Sequence, residues 1–451
     1  MTFRIEADWV DGDASSSTDP ERQAESACLA RIGMWTSSGC LTEARRNAPD
    51  HAGYQVFEKP LLPGYYLARW LAWNWWRLLF EPPHNTSMWR QSHQMAAIGG
   101  GYVWPNVTFR SDGVRVHVKA RPSQKASWHP FWYTSHDDAI IGREYIEKEF
   151  ENFIQDAIDN LNKKNIHKAI LCDIWSELRG EFGNEQLAEY RRFEARLGFD
   201  PDEASENVVD RLIADAADYG EETIGDVASA FPGGADVPSV ADLRATARRD
   251  GIPGNPRDAI TLDNATVQNI RNDSRPWRRG YLAARAVWEQ IPEQKPPIST
   301  DRLCELAGVS PTLRDNTEFH PYLAYALDVS DQEQHVVLHA SHQDNRRFEL
   351  ARLIGDRLVG GRDGRLFPAT KALTYRQKLQ RAFAAELLCP VQYLDNRLGD
   401  DRSVEAQSEI AEELDVSSWV VNLQLKNHGL IGDDEIDPEI KADRIIDKRA
   451  A

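Results

Sequence analysis

The sequence predicts a multi-domain, predominantly α-helical α+β protein. Three observations carry this. The chain has 451 residues, more than one ordinary core organises. Apolar residues recur at helical spacing over 64–80, 139–197, 276–288 and 345–358. Strand patterns are confined to short runs, one near each end of the chain. Composition and punctuation suggest an N-terminal Trp-rich α/β domain (1–138), a helical segment (139–200), an acidic helical linker (201–275), a C-terminal domain (276–432) and a charged tail (433–451).

A hydrophobic content of 41% with 9% aromatics is that of a globular chain. The formal charge of −18 argues against tight, sequence-independent DNA binding, which needs a basic face, although a small local basic patch is compatible with it. Five cysteines (Cys28, Cys40, Cys172, Cys304, Cys389) are scattered and never spaced CxxC, so neither a disulfide framework nor a zinc ribbon is indicated. The acidic N-terminus has no apolar h-region, and the most apolar stretch, 64–80, is interrupted by Arg69, Asn74 and Arg77. A soluble, cytoplasmic protein without a membrane segment is expected.

In chain order, GYYLARWLAWNWWRLLF (64–80) places Tyr66, Trp70, Trp73, Arg77 and Phe80 at helical spacing, and Pro82-Pro83 stop it. Four tryptophans within 70–76 permit a base-stacking or aromatic-cage surface. A buried helix is favoured, because aromatic stripes at this spacing usually pack. Gly99-Gly100-Gly101 lacks a following Lys-Ser/Thr and is assigned to a turn rather than a phosphate loop. Val107–Arg110 and Val114–Lys119 flank Ser111-Asp112-Gly113, a hairpin pattern. His129 and His136, followed by Asp137 and Asp138, allow a metal or catalytic site but suit an ordinary aromatic loop better. Between 139 and 197, Ile146, Phe150, Phe153, Ile154 and Ile158 make one helical face.

From Pro276 onward the pattern becomes specific. Pro276-Trp277-Arg278-Arg279-Gly280-Tyr281 opens a helix running to Trp288. His335–His339 suits a short strand, and Asn345–Leu358 (NRRFELARLIGDRL) a helix. Phe383–Pro390 (FAAELLCP) follows, then IAEELDVS (410–417) with Val420, Leu423, Leu425, Leu430 and Ile431. These three segments, in this order over about 150 residues, resemble the ImmA/IrrE family of metallopeptidases. In that family a strand leads into a helix carrying the HExxH zinc motif, approximately RRFTLAHELGHLL. The resemblance implies a zincin-like C-terminal domain.

The family's chemistry is absent from the matching positions. HExxH works because positions i and i+4 share a helix face, so two imidazoles reach one zinc while the Glu polarises its water. Here Arg352, Leu353 and Asp356 occupy those positions. The family's third, acidic ligand lies six or so residues before the Phe of the second segment, where this chain reads Gln377-Lys378-Leu379. The resemblance therefore implies a degenerate motif with no cofactor or zinc. Glu349, Arg352 and Asp356, at i, i+3 and i+7, line the former metal face. They either place Arg352 between two carboxylates in a cleft that binds a partner, or form a plain solvated charge ladder.

A relocated metal site built from His335, His339, His342 and Asp356 is the rival. Its geometry is poor, since residues four apart on a strand lie roughly 13 Å apart. The closing segment has a helix-turn-helix look, with Ser418, Asn422, Gln424, Lys426 and Asn427 on the second helix. Packing on the peptidase core is favoured there over DNA contact. Active members of the family cleave helix-turn-helix repressors that control mobile elements, DNA-damage responses or phage defence. The resemblance thus implies a pseudopeptidase that binds a protein partner without cutting it. An active metallopeptidase with a non-standard site, and a subunit of a nucleic-acid-associated defence complex docking through the Trp-rich domain, are the alternatives.

Overall fold

The computed structural model describes residues 2–10, 19–48, 53–292, 295–311, 322–360 and 364–432; the charged tail lies outside them. It is mixed α/β, about 50% helix and 17% strand, so helix predominates as expected. Contacts divide the chain into two compact units, Met1–Val209 and Asp210–Ala451.

In the first unit, β1 (Phe3–Trp9) pairs with β2 (Leu29–Thr36), which also pairs with a later strand, and α1 (Pro20–Ala27) connects the two. Next come β3 (Ala44–Asn47), β4 (Tyr54–Phe57) and β5 (Leu61–Pro63), then helices α2 (Gly64–Trp73), α3 (Trp75–Phe80) and α4 (Ser87–His93). Strands β6 (Asn106–Ser111), β7 (Arg115–Arg121), β8 (Trp132–Tyr133) and β9 (Asp137–Gly142) lead into α5 (Arg143–Lys163), α6 (Ile170–Phe182) and α7 (Glu185–Arg196). The strands form three three-stranded sheets, β1-β2-β5, β4-β3-β8 and β6-β7-β9. This is more β structure than the single hairpin predicted. The extra strands are only two to eight residues long, and all but the β3–β4 pair join segments well separated in sequence, which leaves little local signal.

The predicted hairpin is present. Ser111 faces Val116 across a turn in which Gly113 takes φ +88°. The Trp-rich stretch breaks at Asn74 into two helices. Trp70, Trp75 and Trp76 are buried, whereas Trp73 is 54% exposed. Trp75 packs edge-on to Phe150 and Trp175, so α5 and α6 share the core of this unit. The apolar face read on α5 is the face that is buried. On α3, Arg77 is 3% exposed and bonded to Glu81 and Asp200 at 2.7 and 2.9 Å.

In the second unit, the stretch assigned to a linker is built into the structure. α8 (Glu206–Tyr219) crosses the boundary, and α9 (Glu221–Ala228) and α10 (Val240–Asp250) follow. Strand β10 (Ile252–Gly254) and α11 (Asn264–Arg271) then lead into α12 (Pro276–Trp288) and α13 (Thr300–Ala307). Strands β11 (Ala324–Ser330) and β12 (Glu333–Val337) precede α14 (Gln343–Val359), β13 (Leu366–Ala369) and α15 (Tyr375–Leu388). α16 (Val391–Leu398), α17 (Val404–Leu414) and α18 (Ser418–Asn427) close the described chain. One antiparallel sheet in the order β10-β12-β11-β13 supports α14, and Arg357 pins the helix to it with two bonds to Asp328 at 2.6 and 2.7 Å.

Helix α15 is the centre of this unit. α12 runs alongside it in the same direction: Tyr375 donates to the Ser274 carbonyl at one end, and Arg285 donates to Gln392 beyond the other. At the crossing, a Cβ on Gly280 would overlap the Leu379 carbonyl, the Phe383 nitrogen and the Ala382 methyl. Gly355 of α14 lies as closely against the Phe383 ring. Gly280→Ala is therefore expected to destabilise by about 1–3 kcal/mol through overpacking. Gly180→Ala, on α6 with open space around the new methyl, should be neutral or stabilising. Urea unfolding of both variants checks this; equal effects would contradict it.

Candidate functional site

The site is built where α14 and α15 meet the edge strand β13. On α14 two faces separate. Leu350, Leu353 and Ile354 turn to the sheet, where they border a small internal void with Ala326 and Val336. Leu353 is thus core, 3% exposed, and aimed away from its polar neighbours. Arg352 and Asp356, one turn apart, face α15 instead. The structure brings Arg352, Asp356 and Gln377 into one cluster and leaves Leu353 out of it.

The cluster is closed rather than cleft-like. Arg352, Asp356, Gln377 and Gln380 are 7%, 1%, 0% and 0% exposed. Arg352 donates through Nη2 to the Thr370 carbonyl at 2.6 Å and to the side-chain oxygens of Gln377 and Gln380. Gln377 also accepts from the Thr370 N–H at 2.8 Å and donates to Asp226 and the Pro368 carbonyl, each at 2.9 Å. Asp356 is held by both arms of Arg376, at 2.7 Å each, and Arg376 reaches on to Thr223. The expected sandwich of Arg352 between Glu349 and Asp356 does not form. Asp356 has a better, bidentate partner in Arg376, and Glu349 is turned to the strand-to-helix connection, where it accepts the N–H groups of His339 and Ala340. Nor is this a solvated charge ladder, because Arg352 and Asp356 are buried.

Electrostatics follow burial. Desolvation, with the charge of Arg381 adding to it, pulls the Arg352 guanidinium below its ordinary range. Burial also opposes the charge of Arg376, but Asp356 and Asp226 outweigh that and hold it above its ordinary range. Burial raises the carboxyls of Asp226 and Glu349. Two arginines, Arg352 and Arg376, therefore stand among the carboxylates of Glu349, Asp356 and Asp226. Of Arg352, Asp356 and Gln377 only Asp356 offers an anionic donor, and Arg376 has taken both its oxygens. These residues do not fit zinc, and no hydrolytic step can be built on them.

The rival histidines are not gathered. β12 ends at Val337, so His339 leaves the strand face on which it was expected to join His335. His335 lies 3.2 Å from Glu333, and His342 is exposed at the N-terminus of α14. In the first unit, His136 is exposed and His129 abuts the 81%-exposed Trp128. Among the described residues no group of three His, Cys, Asp or Glu side chains is placed to hold a metal ion. No helix among them is long and apolar enough to cross a membrane.

The helix-turn-helix-like segment packs inward. Asn422 donates to Gln407 at 3.0 Å, and Gln424 donates to Glu386 and the Cys389 carbonyl, both at 3.0 Å. That buries two of the five residues considered for base contact and leaves Ser418, Lys426 and Asn427 near the surface. Arg347, 1% exposed, ties the turn at Asp415 to Ile298 and Thr300, joining the end of α17 to the start of α13 through α14. Sequence reasoning missed Asp226, Arg376 and Gln380. Asp226 comes from the supposed linker, 151 residues before its partner Gln377, and no local pattern marks it.

Two predictions follow from burial here. Asp356→Leu leaves Arg376 without its main counter-charge and should cost about 3 kcal/mol or more, while Asp356→Leu with Arg376→Met should cost less than the single change. Equal losses in denaturant unfolding would count against a coupled pair. Separately, burial raises the Glu386 carboxyl to about 7 from 4.5, although it accepts from Val391 and Gln424. Folded protein then binds this proton more tightly than unfolded chain, so stability falls as pH rises from about 4.5 through about 7. Glu386→Gln should remove that slope and be the more stable form at pH 8, by about 1–3 kcal/mol. Parallel pH profiles for parent and variant would refute it.

No family model, no curated protein and no solved structure matches this chain.

Proposed function

We propose that this chain is a non-hydrolytic relative of the ImmA/IrrE peptidases that works as a protein-binding regulatory or scaffold subunit in prokaryotic phage defence or mobile-element control. One observation carries the proposal. At the positions that correspond to the family's HExxH helix and third ligand, Arg352, Asp356 and Gln377 meet in a buried, hydrogen-bonded cluster that Arg376 and Asp226 complete. Loss of the Glu base alone removes assistance worth about 10²–10⁴ in rate, and Leu353 cannot supply it. What the cluster does well is hold α14, α15 and β13 rigidly together, which suits a docking platform more than a reaction site.

The partner-binding role falls outside the cluster, since Arg352 and Asp356 are sealed. An open recess of about 550 Å³ lies beside β10 and the end of α13, lined by Asn255, Asp258, Glu305 and the backbone at Gly308–Ser310. Its two carboxylates, Asp258 and Glu305, suit a basic segment of a partner protein. Elemental analysis and a cleavage assay test the proposal together. Protein purified with zinc present should hold far less than one equivalent and leave helix-turn-helix repressors of the native host intact. A partner retained by the tagged chain should survive nuclease and high salt. One equivalent of zinc accompanied by repressor cleavage would sink the proposal.

A further inference from the structure

Strand β4 presents an open edge. It is terminal in the sheet β4-β3-β8, and among the described residues Tyr54, Gln55, Val56 and Phe57 pair only with β3. One step before Tyr54, the Ala48 N–H donates to the Gly53 carbonyl. Antiparallel ladders alternate bonded and non-bonded pairs, so Gln55 and Phe57 turn their main-chain groups to β3, and Tyr54 and Val56 turn theirs outward. Edge strands are normally guarded by proline, a bulge or a charged residue. β4 reads YQVF, keeps one register with β3 throughout, and exposes Tyr54 and Val56 at 57% and 51%. In the second unit the terminal strand β13 is protected, since Gln377 and Gln380 bond its Pro368 carbonyl.

Two cations lie over β4, one on each face. The side chains of Gln55 and Phe57 share one face, and those of Tyr54 and Val56 the other. On the first, Arg46 donates through Nε to Gln55 at 2.7 Å and lies over the Phe57 ring at 5.9 Å. On the second, Lys125 stands 4.9 Å from the Tyr54 ring and 4.4 Å from that of Trp132, and donates to Asn47 at 3.4 Å. All of these partners are neutral. Both cations are exposed, and neither has a carboxylate partner among the described residues. Arg45, next to them on β3, differs in having Glu43 at 3.8 Å.

A strand added beside β4 would lie about 4.8 Å from it, within reach of both cations. Its N–H and C=O groups would bond those of Tyr54 and Val56, while carboxylates on consecutive residues would face Arg46 and Lys125 on opposite sides. We propose that β4 binds an extended acidic segment of another protein by strand addition, with Arg46 and Lys125 selecting its charge. A second copy of this chain is disfavoured there, because a two-fold axis would set its Arg46 and Lys125 against their own counterparts. Nucleic acid offers the charge but no peptide backbone to complete the ladder. The inference does not rest on the pseudopeptidase proposal, since every residue of the edge lies in the first unit.

Fluorescence anisotropy with the full chain tests it. The probe is a labelled peptide of about ten residues, alternating valine and threonine around two adjacent glutamates. It should bind saturably and weaken severalfold between about 50 and 300 mM salt. Glutamine in place of its glutamates, or Arg46→Gln with Lys125→Gln in the protein, should each weaken binding about fivefold or more, and combining them should add little. Val56→Pro removes an outward N–H and spares the ladder to β3, so it should weaken binding about tenfold. N-methylation of alternate peptide residues leaves the protein untouched: one phase should abolish binding and the other be tolerated. No saturable binding up to about 1 mM peptide overturns the proposal, as does equal affinity for the glutamine peptide or for both N-methylated forms. A dimer that Val56→Pro abolishes in sedimentation would give the edge to a second copy instead. Displacement of the peptide by single-stranded DNA that the Val56→Pro variant binds undiminished would give the cations to nucleic acid, and either result also overturns it.

Discussion

The close approach of α15 to two neighbouring helices is the constraint on which the second unit depends. Gly280 lets α12 lie against the α15 backbone at Leu379–Phe383, and Gly355 lets α14 lie against the Phe383 ring. With a side chain at either position the helices would stand further off. Interhelical hydrogen bonds are short-ranged, and a shift of 1 Å is enough to break one. The contact of Arg352 with Gln377 and Gln380, and that of Arg376 with Asp356, therefore depend on the spacing that Gly355 permits between α14 and α15. Phe383, fully buried, is the common wall of both contacts.

Given that spacing, the polar cluster explains its own composition. A buried arginine has to find acceptors for its donors, and a buried aspartate needs a cation or several N–H groups. Here the two needs are met crosswise between helices, in part for Arg352 of α14, whose Nη2 reaches carbonyl oxygens around α15 while its buried Nε has no acceptor, and bidentately for Asp356 of α14 by Arg376 of α15. Such an arrangement adds little net stability over a well-packed apolar core, but removing one member leaves a buried charge. It is therefore better at fixing register between α14 and α15 than at strengthening the fold. A hydrolytic centre has the opposite requirements, namely an open coordination position, room for water and a base left unpaired until substrate arrives.

The helices were legible where local chemistry sets them. Pro276 at the start of α12, the helical spacing of Ile146, Phe150 and Phe153 on α5, and the Pro390 stop after α15 all act within a few residues. The three segments of the C-terminal resemblance named positions 352, 356 and 377, and those side chains do lie together. What bonds to what was not legible. Arg376 sits beside Gln377 in sequence, but only the packing of α15 on α14 turns it toward Asp356. Strand β10 was hidden for a similar reason: Gly251, Pro253 and Gly254 read locally as breakers, yet Ile252 pairs with Val336, far along the chain. Pairing at that distance overrides local propensity.

The same helix explains why a sealed core and a basic surface occur together. Along α15, Arg376, Gln377 and Gln380 point to α14, while Tyr375 turns to α12, where Arg279 covers it. The inward arginine neutralises carboxylates of α9 and α14, so the acidity that a metal centre would need is consumed inside the unit. On α12, Asp273 engages Arg275, and Arg279 donates to the main-chain carbonyls of Asp273 and Arg271, which leaves the charge of Arg279 uncancelled. Residues 271–285 are thus a local excess of arginine in a chain that is otherwise strongly acidic. Placing Arg352 and Gln377 at one face and concentrating arginines at the other are separate features in sequence. Physically they are linked, because both rest on how α15 is held.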